Sequence, residues 1–124
     1  MKLYNAATGI PDAVRQRVKG LRLSLIWTRH AQEEAAHDKY GILSLECYPD
    51  RFAMEQGWTL VEVETSLLDD VTKFVVRRPA DDTRSLVLVI RPGDYDKCSG
   101  RVVTCWTNLN TDNHRSLDKT KFSK

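Results

Sequence analysis

The sequence predicts an α+β domain in which an antiparallel sheet of four to five strands carries one main helix on one face. The prediction depends on a helical segment with start and stop signals, on four β-rich segments in the second half of the chain, and on the short turns between them. Short connections between consecutive strands favour hairpins, and hairpins give an antiparallel sheet. A helix packed on one face completes a two-layer domain.

Two helices and one strand are predicted before residue 41. Pro11 opens the segment PDAVRQRVKG, which ends in glycine, and this order suits a short helix. Residues 21–27 alternate between apolar and polar side chains, which predicts a strand. Thr28 is a suitable cap for the main helix, predicted from about residue 29 to residue 40 and ended by glycine.

The second half of the chain is predicted to be mostly strand. A helical turn is expected near residues 51–56, and it is followed by strands at 59–65, 71–78, 85–90 and 101–108. The third of these, SLVLVI, is a continuous apolar run, which is typical of a central strand buried on both faces. Residues 109–124 are polar and are interpreted as a C-terminal tail of a single domain spanning 1–124.

The bulk composition indicates a soluble protein of the cytoplasm. Hydrophobic residues make up 41% and charged residues 29%, which is ordinary for a globular domain. No run approaches 18 apolar residues and the N-terminus has no apolar signal-peptide core, so we expect no membrane association. Cys47, Cys98 and Cys105 are odd in number and lack metal-site spacing, which favours reduced thiols. We expect no cofactor.

Charge is distributed unevenly along the chain. The formal net charge is only +2, yet residues 30–70 carry two basic and ten acidic side chains, so the two ends are basic. A basic surface formed by those ends would favour phosphates. The alternative is that mixed charge simply keeps a small protein soluble.

Two histidines are candidates for acid–base chemistry. His30 lies at the start of the main helix, where anions are favoured, and His114 lies in the tail. The ordinary alternative is a surface histidine in each case. His37 shares a helix face with His30, but the spacing i and i+7 does not match the zinc helix motif, so no metal site is predicted.

Two strands carry candidate substrate-binding residues. Lys73 and Arg77 share one face of their strand by alternation and would line a phosphate groove. Thr104, Trp106 and Asn108 share one face of the last strand, together with residue 102, whereas residues 103, 105 and 107 are expected on the other face. Trp106 would stack a base. A solvated basic strand and ordinary packing of the indole are the competing interpretations.

Two stretches of the chain carry a resemblance to a known family: LIWTRHAQEEAAHDKYGI, with a histidine at the helix start, and LVLVIRPGDYDKCSGRVVTCWTN. They resemble the small RNase-toxin superfamily, which unites barnase-like, EndoU-like, colicin-type and RelE/ParE-like folds, and the second stretch looks like the last hairpin of those domains. Together they cover about a third of the chain. In this resemblance His30 matches the helix histidine and Thr104 the threonine of the last strand; the other candidate residues come from face and charge. The chain also looks like small phage-encoded proteins.

The resemblance implies a metal-independent, toxin-related endoribonuclease-like domain. RNA is the expected partner, and cleavage would proceed through attack of a 2′-OH on the adjacent phosphate. His30, Thr104 and His114 would be the catalytic residues, and Lys73, Arg77, Trp106 and Asn108 would bind substrate. The alternative is a non-catalytic binding or inhibitor protein of the same fold, such as a phage protein that targets a host enzyme in the host cytoplasm. An antitoxin or a host target would then be the protein partner.

Overall fold

A computed structural model describes residues 1–37, 48–93 and 98–109. These residues form seven strands, two α-helices and one 3-10 turn at Met54–Gln56. The elements in chain order are β1 (Lys2–Asn5), α1 (Asp12–Lys19), β2 (Leu23–Trp27), α2 (Arg29–Ala36), β3 (Arg51–Phe52), β4 (Thr59–Thr65), β5 (Val71–Pro79), β6 (Arg84–Pro92) and β7 (Ser99–Leu109).

The seven strands form one mixed sheet in the order β1-β4-β5-β6-β7-β2-β3, curled into a half-barrel. All neighbouring strands are antiparallel except β2 and β7, which run parallel. The predicted four- to five-stranded antiparallel sheet with one main helix is therefore wrong. The hairpin rule accounts for β4 to β7, but β2 pairs with the last strand across about 75 residues, and the short β1 and β3 extend both edges.

Both helices are short and lie on one face of the sheet, here called the helix-side face. Val14 and Val18 of α1 and Ala31 and Ala35 of α2 are buried in the main core, and each pair has the i, i+4 spacing of one helical face. Thr28 caps α2 by accepting a hydrogen bond from the Ala31 amide at 3.1 Å. Two helices were predicted at these places, but in the described chain each has eight residues, so neither is the main helix that the predicted fold class requires.

The sheet has a second buried cluster on its opposite face, here called the outer face. Val61, Val75, Val87, Val89 and Trp106 form this cluster. Strand β6 contributes to both clusters, which agrees with its continuous apolar sequence and its central place.

A β-bulge in β7 changes which residues share a face. Thr104 pairs with Val89 and Val102 pairs with Ile90, so one extra residue, Val103, lies between the two pairs. Val102 consequently packs in the helix-side core with Cys105, while Val103 packs against the outer cluster. The predicted alternation was wrong for residues 102 and 103, because a strict period of two does not allow for a bulge.

Candidate functional site

The candidate residues of β5 and β7 lie on the outer face but on strands that are not neighbours. Strand β6 separates them, and the registers place Arg77 level with Trp106 across Val87. Arg77 spans the gap, because its guanidinium Nη2 donates to the carbonyl oxygen of Leu109 at 3.1 Å. The two strands therefore contribute to one face, with about 10 Å between their backbones.

Burial limits what these side chains can touch. Trp106 is 2% exposed and Asn108 is fully buried, whereas Thr104 is half-buried. Lys73 Nζ lies 3.7 Å from a carboxylate oxygen of Glu64, and both side chains are largely covered. The indole of Trp106 packs in the outer cluster. It does not form an open stacking platform for a base.

The helix histidine lies apart from these residues. Helix α2 is seated on the helix-side face through Ala31 and Ala35, whereas Lys73 and Arg77 belong to the outer face. The exposed His30 ring contacts Glu34, with Nε2 at 2.6 Å from Oε1. No described contact joins His30 to the strand candidates. His114 lies outside the described residues.

A different set of cations occupies an open part of the outer face. Arg91 of β6 and Arg101 of β7 pair directly across the two strands. Arg51 of β3 pairs with Ser24 of β2. All three arginines are exposed. We call this surface the arginine face; it comprises Arg51, Arg91 and Arg101 with Ser24, Ser99 and Ile26 between them.

The strand registers fix the spacing of the arginine face. Ile26 pairs with Arg101, and Ser24 pairs with both Ser99 and Arg51. Adjacent strands lie about 4.8 Å apart, so Arg91 and Arg101 are immediate neighbours, and Arg51 is about 12 Å from Arg101 between Cα atoms. The three cations thus border a small polar platform of two serines with one isoleucine that is 60% exposed.

Close backbone packing supports the platform from below. A Cβ atom on Gly100 would lie 3.0 Å from Leu23 Cδ1 and 3.3 Å from the carbonyl oxygen of Arg91. Glycine therefore lets β2 and β6 approach β7 on either side. Thr28 anchors the end of β2, because its hydroxyl and amide both donate to the carbonyl oxygen of Val102.

The arginine face has no counter-charge in the part of the chain that the structure describes. No carboxylate there contacts Arg51, Arg91 or Arg101. Like charges directly opposite each other on neighbouring strands destabilise a sheet. We therefore expect the Arg91–Arg101 pair to lower the free energy of unfolding.

The ion pairs elsewhere have structural roles. A hydrogen bond from Lys2 lowers the pKa of Asp69, and that carboxylate raises the pKa of Lys2. Arg84 donates to Asp81 and, with the amides of residues 83 and 84, lowers the pKa of Asp81 to about 2. Both aspartates hold hairpin ends, at the β4–β5 and β5–β6 connections.

Two kinds of feature are absent from residues 1–37, 48–93 and 98–109. These residues contain no group of three His, Cys, Asp or Glu side chains placed to hold a metal ion. They also contain no helix whose length and hydropathy would let it cross a membrane. Cys98 is exposed and Cys105 is buried, and Cys47 lies outside the described residues.

Comparison of the chain with protein-family models, with curated proteins and with solved structures finds no match. The resemblance to small RNase toxins therefore depends on the two quoted stretches alone.

Sequence reasoning missed the arginine face because its members come from three strands whose order was unknown. One signal was available. Arg91 and Arg101 flank the segment PGDYDKCSG, and a hairpin at that segment places them opposite each other. Arg51 could not be found in this way, because its place depends on the parallel pairing of β2 with β7.

Proposed function

We propose that this protein binds single-stranded RNA through the arginine face and does not cleave it. The observation that carries the proposal is the group of three exposed arginines on one open region of sheet, with no described carboxylate beside them. Phosphate contacts from arginine and lysine supply most of the affinity in nucleic-acid binding that is independent of sequence.

The shape and chemistry of the surface favour a single strand. Unpaired bases are held by stacking on aromatic rings or on guanidinium planes, and sheet faces serve this purpose in several RNA-binding modules. Here the guanidinium planes of Arg91 and Arg101 would stack bases or contact phosphates. The hydroxyls of Ser24 and Ser99 supply hydrogen-bond donors and acceptors of the kind that a 2′-OH can use.

RNA binding without cleavage has better support than endoribonuclease activity. Cleavage through a 2′-OH needs a base and an acid within hydrogen-bond reach of the reacting atoms. The described histidines, His30 and His37, belong to α2 and its C-cap and do not lie on the arginine face. Among the residues that the structure describes, the arginine face therefore offers phosphate binding without a neutral-pH proton acceptor.

The test uses the full chain and a labelled single-stranded RNA of mixed sequence in EDTA. Binding is followed by fluorescence anisotropy, and RNA length is checked on a denaturing gel. We expect Arg101→Gln to weaken binding about tenfold or more, because a hydrogen bond to a charged group contributes about 1.5–3 kcal/mol.

The matched control is Lys19→Gln, which removes the same charge from an exposed position on α1. We expect it to bind RNA like the native chain. Equal loss in both variants would show an effect of net charge alone and would contradict the assignment. Shortened RNA that depends on His30 would favour the endoribonuclease. Absence of RNA binding would favour an acidic protein as the partner.

A further inference from the structure

Strand β1 forms an edge of the sheet that carries exposed apolar side chains. In the described part of the chain, β1 pairs only with β4. Leu3 is 57% exposed on its outer face, and Leu67 and Leu68 are 74% and 82% exposed in the adjoining β4–β5 turn. Open backbone groups on an edge strand can pair with another strand, and exposed apolar side chains beside them favour such contacts.

The β4–β5 turn is held in place, so its leucines are presented in a fixed position. Ser66 accepts a backbone bond from Asp69 and donates one to Asp70, and its hydroxyl accepts from the amides of Leu68 and Asp70. Asp69 in turn binds the Lys2 ammonium at 2.8 Å. The charge of Lys2, which could otherwise protect the edge, is thus neutralised within the chain.

The hydrogen-bonding groups that β1 leaves open can be identified from its ladder. The amide of Ala6 donates to the carbonyl oxygen of Val61, so the backbone amides and carbonyl groups of the even-numbered residues of β1 point toward β4. The amides of Leu3 and Asn5 and the carbonyl oxygens of Met1 and Leu3 consequently point away from the sheet. The carbonyl oxygen of Asn5 is already used, because it accepts from Gly9 at 2.9 Å.

These open groups are complementary to themselves. If a second copy of β1 lies antiparallel with Leu3 opposite its own equivalent, each Leu3 amide meets the other Leu3 carbonyl. Each Asn5 amide then meets the Met1 carbonyl of the other copy. Two donors and two acceptors on each chain are all satisfied, and none remains.

We therefore propose that β1 pairs with β1 of a second copy of this chain about a two-fold axis at Leu3, which joins the two sheets into one. The pairing places the two Leu3 side chains side by side on the outer face and opposes no uncompensated like charges. The arginine faces lie toward the other edge of each sheet, so this inference is independent of RNA binding.

Sedimentation equilibrium of the full chain tests the proposal at concentrations up to about 1 mM. We expect a concentration-dependent species of twice the 14.2 kDa chain mass. Leu3→Pro removes an outward amide but no bond to β4, so it should abolish the dimer while the chain stays folded. Leu3→Val keeps the amide and an apolar side chain, and it should keep the dimer.

A second measurement does not depend on tolerance of proline. Leu3→Cys should form an intermolecular disulfide under mild oxidation, because directly opposed residues lie about 5.5 Å apart between Cα atoms, within disulfide range. Leu67→Cys is more exposed but lies off the axis, and it should cross-link no more than the native chain does. A native chain that stays monomeric at about 1 mM, or equal cross-linking of both cysteine variants, would overturn the proposal.

Discussion

Reversal of one charge in the Arg91–Arg101 pair should increase stability and weaken RNA binding at once. The two side chains are directly opposed on β6 and β7 and have no carboxylate partner among the described residues. Cross-strand pairs contribute about 0.2–1 kcal/mol, and like charges have the opposite sign. Arg101→Glu replaces repulsion with attraction, and glutamate has a slightly lower strand propensity than arginine. We expect a net gain of about 0.5 kcal/mol in the free energy of unfolding.

The assay is urea unfolding of the native chain, of Arg101→Glu, of Arg91→Glu and of the double variant, followed by far-UV circular dichroism. In a thermal melt of a chain of this length, the same 0.5 kcal/mol would shift the melting temperature by about 2 °C. Each single reversal should stabilise the chain, and the double variant should lose that gain because it opposes two like charges again. This pattern defines a pairwise coupling that separate effects of the two sites cannot produce.

Binding of the same four chains to single-stranded RNA completes the cycle. All three variants should bind at least about tenfold more weakly than the native chain, since each loses a phosphate contact. Single reversals that destabilise the chain, or a double variant as stable as the singles, would refute the placement of Arg91 opposite Arg101. A stabilised single variant with native RNA affinity would refute the role of the arginine face in binding.

Three further changes test other parts of the structure. Gly100→Ala should lower the free energy of unfolding by about 1–2 kcal/mol in urea titrations, because its Cβ would crowd the apolar side chains beneath β7; no loss would show that the strands have room to separate. Asp81 is held by Arg84, and its pKa of about 2 lies below the usual 3.8, so this part of stability is present above pH 3.8 and is lost as the pH falls to about 2. Asp81→Asn should flatten the pH dependence of the free energy of unfolding in that window, whereas Asp82→Asn should leave it unchanged. Equal pH dependence in the two variants would contradict the role of Asp81. Trp106→Phe should lower the free energy of unfolding by less than truncation to alanine, which costs about 3–5 kcal/mol. It should leave RNA affinity unchanged in anisotropy titrations, since the indole is buried. A selective loss of affinity would show that the ring contacts a base.

Local patterns predicted the elements well where a segment has a strong period or clear end signals. Strand β4 spans Thr59–Thr65, as the alternation predicts, and α1 spans Asp12–Lys19 between the expected proline and glycine. Strand β1 was missed because KLYN has only four residues and no clear alternation; its structure depends on pairing with β4. The two-residue β3 likewise exists through its pairing with β2.

The predicted fold class was wrong because it depends on strand pairing between distant parts of the chain. Hairpin logic orders strands that follow each other, but it cannot place β2 beside β7, because that pairing depends on burial of Leu23 and Leu25 in a common core. The site prediction has the same limit. Alternation indicated that Lys73 and Arg77 share a face, but it gave neither the burial of Trp106 nor the intervening β6. Arg51 joins the arginine face only through the complete strand order.

The salt dependence of RNA binding tests the central claim most directly. Three phosphate contacts to a single strand give a slope of log affinity against log salt of about −2, so affinity should fall about 18-fold between 50 and 200 mM salt. Arg101→Gln leaves two contacts, which gives a slope of about −1.4 and a fall of about sevenfold. Lys19→Gln should keep the native slope. A native slope near zero, or a slope that Arg101→Gln leaves unchanged, would contradict the claim that the arginine face holds RNA.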